Sequence, residues 1–295
     1  DSTIWGLNRR AARAFQRGIQ TSTFGVGDSF DATRLATIAD QGAGGYYYLA
    51  SPAEIAGAFG RELAGRLMPV AQAVEIRVRL RPDVVPLKVF GSHALDAREA
   101  AAVRQQEIAM DSLAKRNDGI AANRQDDTEG GMRFFLPSFA RDDRHALLLQ
   151  LQVPTGQGSR PIASVEVRYK DRLRTRNATA ELPVRADYAD SDAASAASAN
   201  LDIARTVQAY SAGEAILAAA RLLVDGQRPA AVSVLRERAN LLEKARDRLH
   251  DALLGKDAMR LFRLADIAGG KAEEDAGDPL AVALLLRGAG YGYLQ

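Results

Sequence analysis

The run Asp126-Asp127-Thr128-Glu129 is the densest group of oxygen ligands in the chain, and weak calcium binding is the chemistry it would serve. It lacks the alternating ligand spacing and central glycine of a calcium loop, so a solvated acidic loop is the better reading. The three histidines, His93, His145 and His250, fall on a strand end, a strand and the outer face of a helical pattern. Convergence on one acid–base or metal site is not expected of them. Gly25-Val26-Gly27 follows a β-rich run, where a phosphate loop would stand. Asp28 and Asp31, however, bring carboxylates where such a loop needs bare amides and a lysine. These glycines are read as a tight strand-to-helix turn, with Asp28 or Asp31 capping the helix that follows. The chain has no cysteine, which excludes disulfides, zinc thiolates and thiol nucleophiles. No nucleophile elbow supports a Ser/His/Asp set. The expectation is that no catalytic, cofactor-binding or metal-ligating residues are present and that the chain is not an enzyme.

Composition narrows the partners. With 39 basic and 37 acidic residues the net charge is +2, and no Lys/Arg block stands out as a phosphate-tracking stripe, so nucleic acid is not expected. Arginine and alanine are plentiful and lysine is scarce, which fits a high-GC genome. No run approaches the ~18 apolar residues of a membrane span. The longest candidate, LAVALLLRGAGYGYL, is broken by Arg287 and glycines. No signal peptide is visible, and the compartment is nearly illegible; the cell envelope or periplasm is slightly favoured over cytoplasm. A length of 295 residues allows two or three domains.

The elements that would position any site begin at Thr21. From there to Leu63 the chain reads strand, glycine turn, helix, glycine turn, strand, helix. TSTFGVG is β-rich, and DATRLATIAD places Leu35, Ile38 and Ala39 on one helical face. Gly42, Gly44 and Gly45 are expected to end that helix before the strand YYYLA. Tyr46, Tyr47 and Tyr48 alternate across this strand, with a central tyrosine expected in the core. Ser51, Pro52 and Glu54 form a capping-box start for a helix reaching Met68. Strands alternating with amphipathic helices imply a parallel sheet covered on both faces.

GVGDSFD, IADQGAGGYYYL and SPAEIAGAFGRELAGRL also resemble the closing third of a von Willebrand factor type A domain. The resemblance is narrower to bacterial proteins in which that domain precedes a β-sandwich and a helical tail. It covers residues 1–80 specifically and runs in order, more loosely, to Tyr188. In that family a divalent ion sits on an Asp-x-Ser-x-Ser loop with a Thr and an Asp from later loops, all of which precede the helix that opens this chain. Mg or Ca is therefore expected only where an N-terminal part of the type A domain supplies those loops. Asp1 is not expected to be a ligand; Ser2 or Thr3 is read as the N-cap of a helix over Ile4 to Arg17 that ends at Gly18. The chain is expected to be the C-terminal piece of a larger protein whose missing part completes the sheet alongside Thr21 to Gly25.

After Pro69 the period changes. VEIRVRL alternates Val74, Ile76, Val78 and Leu80 with Glu75, Arg77 and Arg79, a half-buried strand. VVPLKVFG, MRFFLPSF, RHALLLQLQVP, SVEVRYKD and ATAELPVRAD add five more runs, giving an immunoglobulin-like β-sandwich. Between the second and third lies an inserted helical loop over 95–130, in which Val103, Ile108 and Leu113 are too sparse for a well-buried helix and whose polar end is expected to be mobile. YADSDAASAASAN is a polar linker. Beyond it Ile203, Val207, Tyr210, Ile216, Leu217 and Leu223 restore helical spacing, with Gly226 as C-cap and Pro229 opening the next helix. An apolar stripe of Leu222, Leu223, Val232, Leu235, Leu242, Leu249 and Leu253 is closed by Met259 to Ile267, with Leu280 to Leu286 packing beside it.

The fold class expected is multidomain α+β: a partial α/β Rossmann-like type A domain (1–69), an antiparallel β-sandwich (70–188), a linker (189–200), an α-helical hairpin or small bundle (201–270), and a flexible segment with an apolar C-terminal helix (271–295). The function expected is a non-catalytic protein-protein interaction or scaffold module. Its partner would be the N-terminal part of the same type A domain within a larger assembly. The alternative is a cleavage-released or inhibitory fragment that pairs with its own missing N-terminal part.

Overall fold

The computed structural model describes residues 2–26, 30–49, 52–67, 69–90, 94–123, 130–141 and 145–270, with positions 283 and 286. Asp1, Asp28, Ser51, Met68, His93, the Asp126 to Glu129 cluster and most of the terminal segment, Leu280 included, lie outside the described residues.

Helix α1 (Ser2–Gln16) leads to β1 (Thr21–Val26), α2 (Ala32–Gln41), β2 (Ala43–Leu49), a 3₁₀ turn over Pro52–Glu54 and α3 (Ile55–Leu67). The helix is already under way at Ser2, which corrects the N-cap assignment at Ser2 or Thr3. Strands β1 and β2 pair in parallel, from Thr23 opposite Tyr46 to Val26 opposite Leu49. Asp31 caps α2, its carboxylate accepting from the Arg34 amide at 3.1 Å.

Gly42 does follow α2 as a turn residue, its amide bonded to the Ile38 carbonyl, but three of the glycines read as turns lie in strands. Gly25 lies inside β1, where a Cβ would stand 2.2 Å from the Phe30 ring. Gly44 and Gly45 lie inside β2 rather than ending α2. At Gly44 a Cβ would come within 2.0 Å of the Thr21 carbonyl oxygen, at the irregular start of the β1–β2 register. The core tyrosine is Tyr46, packed on Ala39 with Phe30, Leu35 and Ala36 around it. Tyr47, the central one, is half-buried on the other face.

All six expected strand runs form strands: β3 (Pro69–Leu80), β4 (Val85–Val89), β5 (Met132–Ala140), β6 (Leu149–Gln152), β7 (Ser159–Asp171) and β8 (Arg176–Asp187). Four make an antiparallel sheet in the order β5-β3-β7-β8, and β4 pairs β6 in a separate ribbon. Alternation along β3 predicts a solvated face for Glu75 and Arg77, but both are buried. Their cover is α4 (Ala97–Asp118), the helix of the inserted loop. It starts on a complete Asp96/Glu99 capping box and stops at Gly119, whose φ is 70°.

Reading α4 by its branched residues misplaces its inner face, since Ile108 is exposed. Small and flexible residues face inward instead. Ala109 and Met110 pack with Phe15 of α1 and Ala43, against Ala73, Leu113 and Phe135. The insertion thus wedges between the α/β layer and the charged face of the sheet.

The linker holds a short helix, α5 (Asp192–Ala197), capped by Ser191. Three longer helices follow: α6 (Leu201–Val224), α7 (Arg228–Leu249) and α8 (Ala252–Ala268). Their shared core includes Ile216, Leu223, Leu235, Leu242, Leu254, Leu261 and Leu264, with Ala283 and Leu286 from the terminal segment. Leu253 and Met259 are exposed, contrary to the stripe read from spacing, and Ile203, one of the apolar positions read on α6, is exposed as well. After Leu249 the chain turns through His250 in the left-handed region and restarts at the Asp251 cap, so the helical phase resets and Leu254 points inward. No described helix is long and apolar enough to cross a membrane.

Candidate protein interface

The parallel pair β1–β2 is tied to α3 by one carboxylate. Glu62 accepts hydrogen bonds from the Ser22 hydroxyl on β1 and the Tyr47 hydroxyl on β2. The Ser22 oxygen also accepts from the Gly45 amide at 3.1 Å. Rings then stack outward across the sheet. Phe24 lies 4.9 Å from Tyr47 and 4.8 Å from Phe59, both at one strand spacing. Phe24 of β1 therefore stacks on a ring of β2 and on a ring of α3.

Phe59 is 56% exposed, and Ile55 and Leu63, one turn to either side, are exposed too. These residues recur at i, i+4 and i+8, so they form one apolar stripe on α3. Among the described residues no strand pairs with the outer edge of β1. Three other edge strands contain a proline, which cannot donate to a ladder: Pro86 in β4, Pro137 in β5 and Pro183 in β8, while the four-residue β6 has none. No proline interrupts β1 or β2.

A second feature escaped the sequence reading. Beneath α4 an ionic layer joins helix to sheet. Glu107 accepts from Arg104 at 2.9 Å and from Arg133 of β5, and Glu75 accepts from Arg77 at 2.8 Å. Lys170 meets Asp111 at 3.1 Å, the Ala121 carbonyl at 2.9 Å and the Asn177 side chain at 3.1 Å. Arg172 bridges both oxygens of Asp118 at 2.9 and 3.1 Å. A cavity of about 30 Å³ remains among Glu75, Glu107, Asp111, Arg168 and Lys170, room for a water or two. Its wall includes Ala73, held at φ 49° beside a β-bulge in β3. Each of these carboxylates is engaged by a cation, so the layer acts as structure.

Nearby, burial works to raise the Glu166 pKa, but hydrogen bonds from Arg79 and Arg168 outweigh it and hold the carboxyl below its ordinary value. The Arg174 hydrogen bond likewise holds Asp171 low, against burial. The signal for this layer was present in the sequence: Arg104, Glu107, Asp111 and Asp118 recur at helical spacing. They oppose strand residues Glu75/Arg77 and Glu166/Arg168/Lys170 at period two.

The two described histidines, His145 and His250, lie on different elements. His145 packs its ring 4.4 Å from Phe139, and His250 caps the corner between α7 and α8. Among the described residues no three His, Asp or Glu side chains gather as metal ligands would.

No protein-family model matches the chain, and no curated protein sequence does. Solved structures do. A von Willebrand factor type A protein from Catenulispora acidiphila aligns with a TM-score of 0.53 at 17% identity, over 86% of this chain and 60% of its own. The ArnB paralog VWA2 from Sulfolobus acidocaldarius aligns with a TM-score of 0.45 at 13% identity, over 92% of this chain and 55% of its own. This chain therefore spans 60% and 55% of the lengths of these two structures. The likeness is one of fold: a mixed α/β chain of von Willebrand factor type A-like architecture.

Proposed function

We propose that this chain is a non-catalytic protein-protein interaction or scaffold module. In this reading residues 1–69 are a partial type A domain. The four-stranded sheet and the β4–β6 ribbon are the two halves of a sandwich over 70–188, and the helices of 201–270 form a small bundle. The observation that carries the reading is the β1 edge, free of proline and flanked by the exposed stripe Ile55, Phe59 and Leu63. Parallel strands bury both faces and leave few edges open, so this edge is suited to accept a strand. A partner supplying the earlier strands of a type A domain fits it, and would bring any Mg- or Ca-binding loop with it. A released or inhibitory form re-pairing with its own N-terminal part would use the same edge. Intact-mass analysis of purified material distinguishes the two, since a nicked domain carries a second polypeptide with an Asp-x-Ser-x-Ser loop.

Hydrogen exchange on the chain alone tests the reading. Outward-facing amides of Thr21–Val26 are expected to exchange within minutes, while those paired to β2 are protected. Uniform protection of β1 would mean that the edge is already filled and would sink the proposal. Adding a type A fragment that carries the earlier strands is expected to protect the outward set.

A further inference from the structure

We infer that the outer face of α1 is a docking surface for an acidic protein segment. Arg10 and Arg13 stand one turn apart on α1 and Arg17 follows in the turn that closes it, its amide bonded to the Ala14 carbonyl, so a run of about 10 Å lies away from the buried residues Ala11 and Phe15. Arg9 stands beside the row, and all four arginines are exposed. No ion pair among the described residues engages Arg10, Arg13 or Arg17. Among the described residues, α1 is the one helix of α1 to α8 that carries no Asp or Glu. The whole chain has a net charge of only +2, so this concentration is local.

Like charges one turn apart repel, and nothing on α1 offsets them. A ligand with carboxylates spaced along an extended backbone offsets them well, because alternate residues of a strand lie ~7 Å apart. Polypeptide is favoured over nucleic acid by what flanks the row. Leu7 at one end is 44% exposed and Ile19 at the other 57% exposed. Apolar ends of this kind reward side chains and not phosphates. At Gly6, one turn before Arg10, a Cβ would meet nothing within 4 Å, so the row continues into open space. The surface lies apart from the β1 edge and does not depend on that edge being an interface.

Fluorescence anisotropy with a labelled Glu/Asp-rich octapeptide ending in leucines tests the inference, at ~0.15 M salt where weak long-range attraction is screened. The wild-type chain is expected to bind. The triple variant R10E/R13E/R17E is expected to weaken binding roughly tenfold or more, with the salt dependence lost. A charge-matched control, R248E/K256E/R263E on α7 and α8, is expected to leave binding unchanged. Equal loss in both triples would mean unspecific charge attraction and would overturn the inference, as would absence of peptide binding. Tighter binding of an eight-residue oligothymidylate or of vesicles with 30% anionic phospholipid would overturn it too. If the Glu triple misfolds by circular dichroism, R10Q/R13Q/R17Q removes the same charges without reversal. A Phe24→Asp variant, which disables the β1 surface, is expected to keep peptide binding, so the two readings fail separately.

Discussion

Glu107 shows how little of the charge placement alternation alone reveals. Its side chain is 3% exposed and accepts from both Arg104 and Arg133, so removing it takes a shared carboxylate from two cations, of which Arg133 keeps Glu75 at 3.7 Å. Glu107→Ala is expected to cost about 1–3 kcal/mol, since a buried carboxylate that two arginines share is lost. Urea denaturation checks it; a loss below about 0.5 kcal/mol would show the pair to be effectively solvated. Glu166 gives a pH dependence with a definite sign. Its folded pKa is lowered, so its stabilisation is present above the unfolded value, near 4.5, and fades as pH falls through the folded value. Glu166→Gln should therefore cost stability at pH 7 and progressively less below pH ~4.5. A gap between variant and wild type that stays constant from pH 7 to pH 3 would refute the assignment. At Gly44, where a Cβ would stand 2.0 Å from the Thr21 carbonyl oxygen, Gly44→Ala should force β1 away and cost roughly 1–3 kcal/mol. Sequence marked these glycines as special but placed them in turns, because strand glycines and turn glycines look alike without register.

Among elements, type was more legible than facing. Each strand run was legible from period two, and α6, α7 and α8 from helical spacing. What spacing could not carry was phase across a corner. His250 and Asp251 reset the helix, which moved Leu253 out and Leu254 in. The contrast is measurable. Leu242→Ala, at a fully buried core position, is expected to cost about 2–5 kcal/mol, and Leu253→Ala, 65% exposed, less than about 0.5 kcal/mol. Leu235→Asp should unfold the three helices, since a carboxylate in that core has no partner. A variant that stayed helical by circular dichroism would reduce the shared core to surface. Helix α4 was illegible as cover for a different reason. It buries Ala109, Met110 and Ala114 together with acids, and a scale that ranks apolarity reads that face as solvent-exposed.

At the scale of the whole molecule the question is how firmly the helices attach to the strands. Their contact with the β4–β6 ribbon is small and polar. Lys88 of β4 pairs with Glu214 of α6, and its ammonium sits 4.6 Å from the Phe90 ring centre. Phe90 meets the Tyr210 ring at 6.5 Å, and the Tyr210 hydroxyl reaches the Ala146 carbonyl at 3.4 Å. Lys88 is about two-fifths exposed, so salt screens this pair, and exposed pairs of this kind are each worth under about 1 kcal/mol. The internal core of α6, α7 and α8 is far more extensive than this seam. Attachment should therefore fail before the helices melt. Tyr210→Ala combined with Glu214→Gln is expected to enlarge the radius of gyration in small-angle scattering while leaving the helical melting transition within a few degrees of wild type. High salt should enlarge the wild-type chain in the same direction. If instead the double variant melts the helices at the temperature where the particle expands, the seam is part of one cooperative unit, and the helices do not move as a separate body.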